Sequence, residues 1–298
     1  MFSDQTIWYN IALTDSLGPA TIQKIWNHLT ELRSGPEILL KKSAESLNTE
    51  FGLSLRVANN LFTQLENPFD IPNFDPPLAL LLPGDEYFPN ERFNSAVPPL
   101  PGMLWALGDL RLLNHKGLTI AIAGSRDAHE MAVEATCTLA REASDRGNLI
   151  ISGLAQGIDS AAHEGALIGK TGTIGVMASG VNSHAGFVPS DESDAICLIS
   201  QFMPGEPWSG PRAMQRNSVI AGMSDRVVIA TAGLTGGSWE MAQLCLKKNK
   251  TLYVMNFDKT IAPGNHLLIR AGARPLELDS LDRCWLDEVV DEGSLKLF

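Results

Sequence analysis

From residue 117 onward, short and strongly apolar runs alternate with stretches of helical periodicity, and this alternation constrains the fold more than any other feature. The runs Leu118–Ala123, Leu149–Ile151, Thr173–Met177, Ala195–Ile199, Val227–Ala230 and Thr251–Met255 read as strands. Helices are expected over Ala128–Ser144, Ile158–Leu167, Arg216–Ala221, Trp239–Lys247 and Leu267–Ala271. Strands apolar at nearly every position are buried on both faces, which calls for a parallel sheet covered by helices on each side. The expected architecture is α/β, an extended Rossmann-like, doubly wound and mostly parallel sheet.

The first part of the chain follows a different period. Ile11, Leu13, Leu17, Ile22, Ile25, Trp26, Leu29 and Leu32 recur at spacings near three and four, the helical repeat. Leu17-Gly18-Pro19-Ala20-Thr21 reads as a turn opening a helix, with the proline at a tolerated early position. A second helix pair is expected around Glu37–Lys42 and Leu55–Gln64. Pro68, Pro72, Pro76 and Pro77 then remove backbone donors at a density that marks a linker. The expected organisation is a small all-α domain over residues 1–66, a Pro-rich connector and lead-in over 67–97, the Rossmann-like domain over 98–274, and an acidic C-terminal tail over 275–298.

Charge narrows the function classes. The 298 residues carry a formal net charge of −11, with 44% hydrophobic and 19% charged residues, ordinary for a globular chain. The excess is local: residues 1–96 hold 6 Lys and Arg against 12 Asp and Glu, residues 275–298 hold 2 against 7, and the stretch between them is balanced. Uniform attraction to a polyanion is excluded, so any phosphate binding must rest on a few well-placed groups. No apolar run approaches the roughly 20 residues that span a bilayer, and the start Met1-Phe2-Ser3-Asp4 lacks the basic and apolar segments of a signal peptide. Cys137, Cys197, Cys245 and Cys284 form no CxxC pair and have no histidine at zinc-like spacing. These features lead us to expect a soluble cytoplasmic protein without membrane association, structural metal or cofactor.

Three glycine-containing loops fall at expected strand ends: Gly124-Ser125-Arg126, the segment Ser152–Asp159 with Gly153, Gln156 and Gly157, and Gly233–Ser238 with Gly236, Gly237 and Ser238. Glycine lets the backbone approach a ligand, and Ser and Thr add hydroxyl donors. Such loops can form an anion pocket of N–H groups, with Arg126 supplying a forked phosphate contact. None fits GxGxxG or GxxxxGK[ST], so neither a dinucleotide fingerprint nor an ATPase loop is indicated. The competing structural role of each glycine is a tight βα turn.

Arg212 and Arg216 stand one helical turn apart and are the candidates for reading a phosphate backbone, against the plainer role of a solvated face or a structural salt bridge. Phe187, Phe202, Trp208 and Trp239 lie near these loops and can stack on bases or fill the core. Asp159, His163 and Glu164 share a helix start, where acid–base or metal chemistry competes with helix capping by Asp159 and a satisfied His163. The chain has no GxSxG or HExxH motif, and no catalytic residue is assigned.

The strings GSRDAHEMAVEATCTLAREASDRG (124–147), SGLAQGIDSAAHEGAL (152–167), PRAMQRNSVIAGMSDRVVI (211–229) and GNHLLIRAGA (264–273) resemble the DNA-processing protein A family, DprA/Smf. The resemblance runs collinearly from about Pro98 to Ala273, and the helical N-terminus is similar to the family's small helical domain. It implies an extended Rossmann core and a non-enzymatic protein that binds single-stranded DNA. It also implies dimerisation through that core and delivery of the strand to a RecA-type recombinase during natural transformation. On this resemblance Arg126, Lys170, Arg212, Arg216 and Asn217, with Gly236-Gly237-Ser238, line a single-strand pocket.

The sequence departs from the family pattern at several points. Phe187-Val188-Pro189 follows an atypical Asn182–Gly186, Gln201 replaces a glutamate, and Val254-Met255-Asn256-Phe257 replaces Val-Pro-Gly. The loop at Thr235–Ala242 differs from Ser-Gly-Ser-Leu-x-Thr-Ala, and the winged-helix domain of many members is not expected in the acidic stretch beyond Ala273. Leu17-Gly18-Pro19 lacks the first glycine of a helix-hairpin-helix, so duplex binding is not expected of the N-terminal helices. These departures fit equally a divergent member serving mobile-element or phage defence. A different class of reading is a nucleotide sensor or phosphoribohydrolase-like enzyme of the same superfamily, with Glu240 or Asp159 as acid or base. A third is a protein adaptor using the acidic tail and helical N-terminus.

Overall fold

A computed structural model of the chain describes residues 2–73, 78–181, 195–277 and 286. Phe187-Val188-Pro189, Asn182–Gly186 and Cys284 lie outside the described residues. Contacts divide the chain into two compact units, one built from residues 1–114 and 176–223 and the other from residues 115–175 and the chain from 224 onward. This division cuts across the domain expected over 98–274, because residues 176–223 group with the N-terminal part. Among the described residues no helix is long and apolar enough to cross a membrane.

In the first unit, helices form where serine supplies a cap. Ser3 accepts from the Thr6 N–H ahead of α1 (Asp4–Leu13), Ser43 from Ser46 ahead of α3 (Ala44–Phe51), and Ser54 from Val57 ahead of α4 (Leu55–Glu66). Helix α2 (Pro19–Glu31) starts at the expected Gly18-Pro19 turn. The expected segment at Glu37–Lys42 is a 3-10 turn over Pro36–Lys41, and α3, which follows it, was not anticipated. The chain leaving α4 is pinned at Phe69. Asn10, fully buried, accepts from the Phe69 N–H at 2.8 Å and from Gln64 Nε2 at 2.7 Å. Its Nδ2 donates to the carbonyls of Phe69 (3.0 Å) and Thr6 (2.8 Å).

The lead-in is also structured. It supplies β1 (Ala79–Leu81) and the short helix α5 (Asn90–Ser95), and β2 (Leu104–Gly108) follows it, elements that the prolines and glycines of residues 78–108 obscure. Strand β2 pairs antiparallel with β1 and, on its other edge, with β6 (Ile196–Ser200). An aromatic cluster joins the helices to this segment: Trp8 to Trp26 at 5.4 Å, Trp26 to Phe93 at 6.1 Å, and Phe88 to Phe93 at 5.2 Å between ring centroids. Helix α8 (Gly210–Met223) completes the unit and is longer than the expected Arg216–Ala221.

The second unit is the parallel sheet that the apolar runs predict. Its strands are β3 (Thr119–Ala123), β4 (Leu149–Ser152), β5 (Thr173–Val176), β7 (Arg226–Ile229), β8 (Leu252–Met255) and β9 (Arg274–Leu276). The lateral order is β5-β4-β3-β7-β8-β9, with every pairing parallel. Winding thus proceeds outward from β3 in one direction and from β7 in the other, the strand order of a Rossmann sheet, with its switch point between β3 and β7. The crossovers are α6 (Glu130–Asp145), α7 (Ile158–Ile168), α9 (Gly237–Lys247) and α10 (Asn265–Arg270).

Helices α6 and α7 approach closely because their facing residues are small. A side chain at Gly165 would collide with the Cys137 carbonyl and Ala140, and the Ser144 hydroxyl donates to the Ala166 carbonyl at 2.8 Å. The stretch expected as an acidic tail over 275–298 is not wholly a tail. Its first residues belong to β9, and Leu286 is 2% exposed in the core cluster, its carbonyl held by Asn148 Nδ2 at 3.0 Å.

Candidate functional site

At a switch point the loops leaving two neighbouring strands diverge and leave a crevice beyond the strand C-termini. In the second unit those loops follow β3 and β7, and hydrogen bonds tie them together. The Ala230 N–H donates to the Ala123 carbonyl at 2.9 Å, and the Ser125 N–H donates to Thr231 Oγ1 at 3.0 Å. Thr231 is 1% exposed, so its hydroxyl is a fixed internal brace.

The loop after β4 closes on the same place. Gly157 adopts φ +79°, and a Cβ there would strike the carbonyls of Ser125 and Arg126. The position therefore requires glycine both for its backbone angle and for the contact. Gly124 packs against Ile158 with equally little room, and the Ile158 N–H donates to the Ser125 carbonyl at 3.3 Å. Two of the three expected loops are thus locked into one backbone cluster, with Arg126 and Gln156 exposed on it.

Asn265 organises the third loop from within. Fully buried, it accepts from the Ala232 N–H at 2.8 Å and donates to the carbonyls of Ala230 and Met255, each at 2.8 Å. One side chain therefore fixes the chain leaving β7 to the end of β8. Gly264 lies against the Ala232 and Gly233 carbonyls where no Cβ fits. The loop ends at Gly236, φ +100°, the N-cap of α9, so Gly237 and Ser238 form the first turn of that helix. Neither Gly157 of α7 nor Gly236 of α9 makes a side-chain cap bond. Such helix starts direct backbone N–H groups and a partial positive charge outward, the arrangement that receives anions.

The acid–base reading of Asp159 and His163 finds a structural answer. His163 is 3% exposed. Its Nε2 donates to the Gly153 carbonyl at 2.6 Å, and Nδ1 meets the Thr173 hydroxyl at 2.8 Å. The ring thus holds the β4 loop in place. Asp159 is not the cap that the sequence suggested. It lies in the first turn behind Gly157 and receives the Ala155 N–H at 3.4 Å.

The remaining expected residues fall elsewhere. Lys170, although exposed, follows the C-terminus of α7, an 11-residue helix that starts at the glycine loops. About 16 Å of helix at 1.5 Å per residue separates it from them, so the structure does not bring Lys170 to that cluster. Arg212, Arg216 and Asn217 lie on α8 in the first unit. Arg216 is 7% exposed and donates to the Val176 carbonyl at 3.3 Å, so it serves the interior of that unit rather than its surface. Arg212 is paired with Glu206 at 2.6 Å, donates to the Pro207 carbonyl at 2.8 Å and lies over the Phe202 ring at 5.6 Å. Asn217 and Trp239 are half-buried, Phe202 is buried, and Trp208 is 55% exposed.

Sequence reasoning missed Thr231 and Asn265, the two polar side chains that shape the loops. The usable signal was Asn265 itself, an amide directly after a glycine at the start of a short helix near a strand end.

The family model described as DNA recombination-mediator protein A matches residues 79–283. Protein Smf of Escherichia coli (strain K12) is 28% identical over 281 residues, covering 91% of this chain and 72% of that protein. The DNA processing protein DprA of Bacillus subtilis (strain 168) is 30% identical over 186 residues, covering 59% of this chain and 61% of that protein. Among solved structures, DprA of Streptococcus pneumoniae aligns with a TM-score of 0.66 at 21% identity over 92% of this chain and 95% of that one. DNA processing protein A from Helicobacter pylori, described for its single-stranded DNA binding mode, aligns with a TM-score of 0.58 at 25% identity over 71% of this chain and 94% of that one.

Proposed function

Because the chain belongs to the DNA recombination-mediator protein A family, we propose that it binds single-stranded DNA without catalysis and passes the strand to a RecA-type recombinase. The observation that carries this reading is the backbone cluster at the switch point, where Gly157 closes on the Ser125 and Arg126 carbonyls at the start of α7 and Thr231 ties the chain leaving β7 to Ser125, with Arg126 exposed. Backbone N–H groups and one guanidinium recognise phosphate without reading bases, which suits a strand of any sequence.

In this reading Gly124, Gly157, Gly236 and Ser238 present the amides and Arg126 and Gln156 present side chains, while Ser125, its N–H taken by Thr231, and Gly237, in the first turn of α9, shape the loops. Gly153 acts through its carbonyl, which positions His163, and Arg212 is a further phosphate contact on α8. Arg216 supports α8 from inside the unit, so its truncation costs stability as well as binding. Binding as a homodimer and a role in DNA-mediated transformation belong to the same proposal.

The test is fluorescence anisotropy with a labelled oligo-dT strand. Arg126→Ala is expected to weaken binding by tenfold or more, as loss of a charge-assisted hydrogen bond of about 1.5–3 kcal/mol predicts, with an unchanged melting temperature. Unchanged affinity in that variant overturns the reading. Release of free base from nucleoside monophosphates by the purified protein would favour the hydrolase alternative instead.

A further inference from the structure

The Arg212 guanidinium is already engaged, and the group that engages it has the chemistry of the ligand proposed for it. The geometry points to Glu206 as a built-in phosphate mimic that occupies Arg212 and holds down the affinity of the protein for single-stranded DNA. This inference rests on the proposed function, since it concerns how one of its contacts is regulated.

Arg212 sits in the first turn of the 14-residue helix α8, with its N–H directed at the Ser209 hydroxyl at 3.3 Å. A cation at a helix start faces the positive end of the helix dipole and is disfavoured there unless an anion joins it. Glu206 is that anion, its Oε2 lying 2.6 Å from Arg212 Nη2, within the range of charge-assisted N–H···O bonds. A phosphate oxygen would satisfy the same guanidinium and the same helix end in the same way. Two bodies of negative charge therefore compete for one position.

The pair is placed to exchange. Both side chains are partly exposed, at 29% for Arg212 and 35% for Glu206, so water screens their attraction and lowers the cost of separation. Arg212 would remain oriented without Glu206, because the Pro207 carbonyl accepts from Nη1 and the Phe202 ring lies beneath the guanidinium. The backbone of Glu206 is held independently of its carboxylate. Its N–H donates to the Met203 carbonyl at 3.1 Å, its carbonyl accepts from the Gly180 N–H at 2.8 Å, and Gly205 takes φ +85° to make the turn. Neutralising the carboxylate thus leaves both the loop and the arginine in place.

The experiment measures oligo-dT affinity at low salt for the full chain and for Glu206→Gln, Arg212→Ala, the double variant and Arg126→Ala. Glu206→Gln is expected to tighten binding about two- to fivefold, the range that a partly exposed pair allows. The gain is expected to vanish in the Arg212→Ala background. Glu45→Gln, an equal change of net charge on α3 where Glu45 is exposed, is expected to leave affinity unchanged. If Arg126→Ala weakens binding while Glu206→Gln does not tighten it, the mimic is refuted and the binding function stands. A gain that persists in the Arg212→Ala background also refutes it, since the effect would then be general repulsion. If Arg126→Ala retains full affinity, the binding function itself fails.

Discussion

On the proposed function, the glycine loops of the second unit and helix α8 of the first would offer phosphate opposite kinds of group. The loops use backbone amides whose positions are fixed by glycines that admit no side chain and by the buried braces Thr231 and Asn265. Helix α8 uses arginines, one turned into the unit and one paired with a glutamate. A backbone site is organised by folding and its function is inseparable from stability. A side-chain site keeps its cation in reserve, and its strength is set by competing local partners. The first arrangement is broken by adding atoms and the second is adjusted by changing a charge.

The largest effect is expected at the brace. Asn265→Ala would leave the Ala232 N–H and the Ala230 carbonyl unpaired in a dry interior, while the Met255 carbonyl keeps the Phe257 N–H; the cost is about 2–6 kcal/mol at about 1–3 kcal/mol per buried unsatisfied group. Urea unfolding measures this, and oligonucleotide binding should fall with it. A variant of wild-type stability would mean that the β7 loop is not held by this amide.

Gly157→Ala follows. The residue must keep φ +79° against two carbonyls, and such strain costs about 1–3 kcal/mol. Because relief would displace Arg126, the affinity for oligo-dT should fall further than the stability does. Arg216→Ala separates the two regions directly. We expect a stability loss of about 1–3 kcal/mol from removing a buried, hydrogen-bonded guanidinium, whereas Arg126→Ala should unfold at the wild-type urea midpoint. Equal midpoints for both would show that the α8 arginine is as peripheral as the loop one.

In the interior the two regions should behave alike. Burial pushes the Cys245 thiol of α9 up to about 12 from an ordinary 9.0, against a small opposing pull from Lys250, and raises Cys197 of β6 as well. In the unfolded chain these thiols ionise near their ordinary value, while in the folded protein they stay neutral. Stability is therefore full below about pH 9 and falls as the pH rises towards 12, by about 1.4 kcal/mol per unit for each thiol. Urea midpoints at pH 8 and pH 10 check this, and Cys245→Ala should reduce the decline.

Strands buried on both faces announce themselves in sequence, and β3, β4, β5, β6, β7 and β8 fall within one or two residues of the apolar runs. β1 and β2 were hidden because prolines and glycines surround them and their pairing is long-range. α3 was hidden because a serine cap starts a helix without a long apolar period. At the candidate site, the glycines and Arg126 were legible because a loop at a strand end has few other uses for them. The burial of Arg216, the pairing of Arg212 with Glu206 and the distance of Lys170 were not legible. Each depends on which way a helix turns its face, or which end of it a residue occupies relative to the sheet.

The buried amide of Asn10 carries a practical consequence for engineering. By clamping Phe69 on both its backbone groups, it turns the chain just beyond α4 into a seam rather than a swivel. Cutting the chain after residue 66 to obtain a free-standing module would tear a polar residue out of its socket. A graft of these helices onto another protein should therefore carry the stretch through Phe69 along with them.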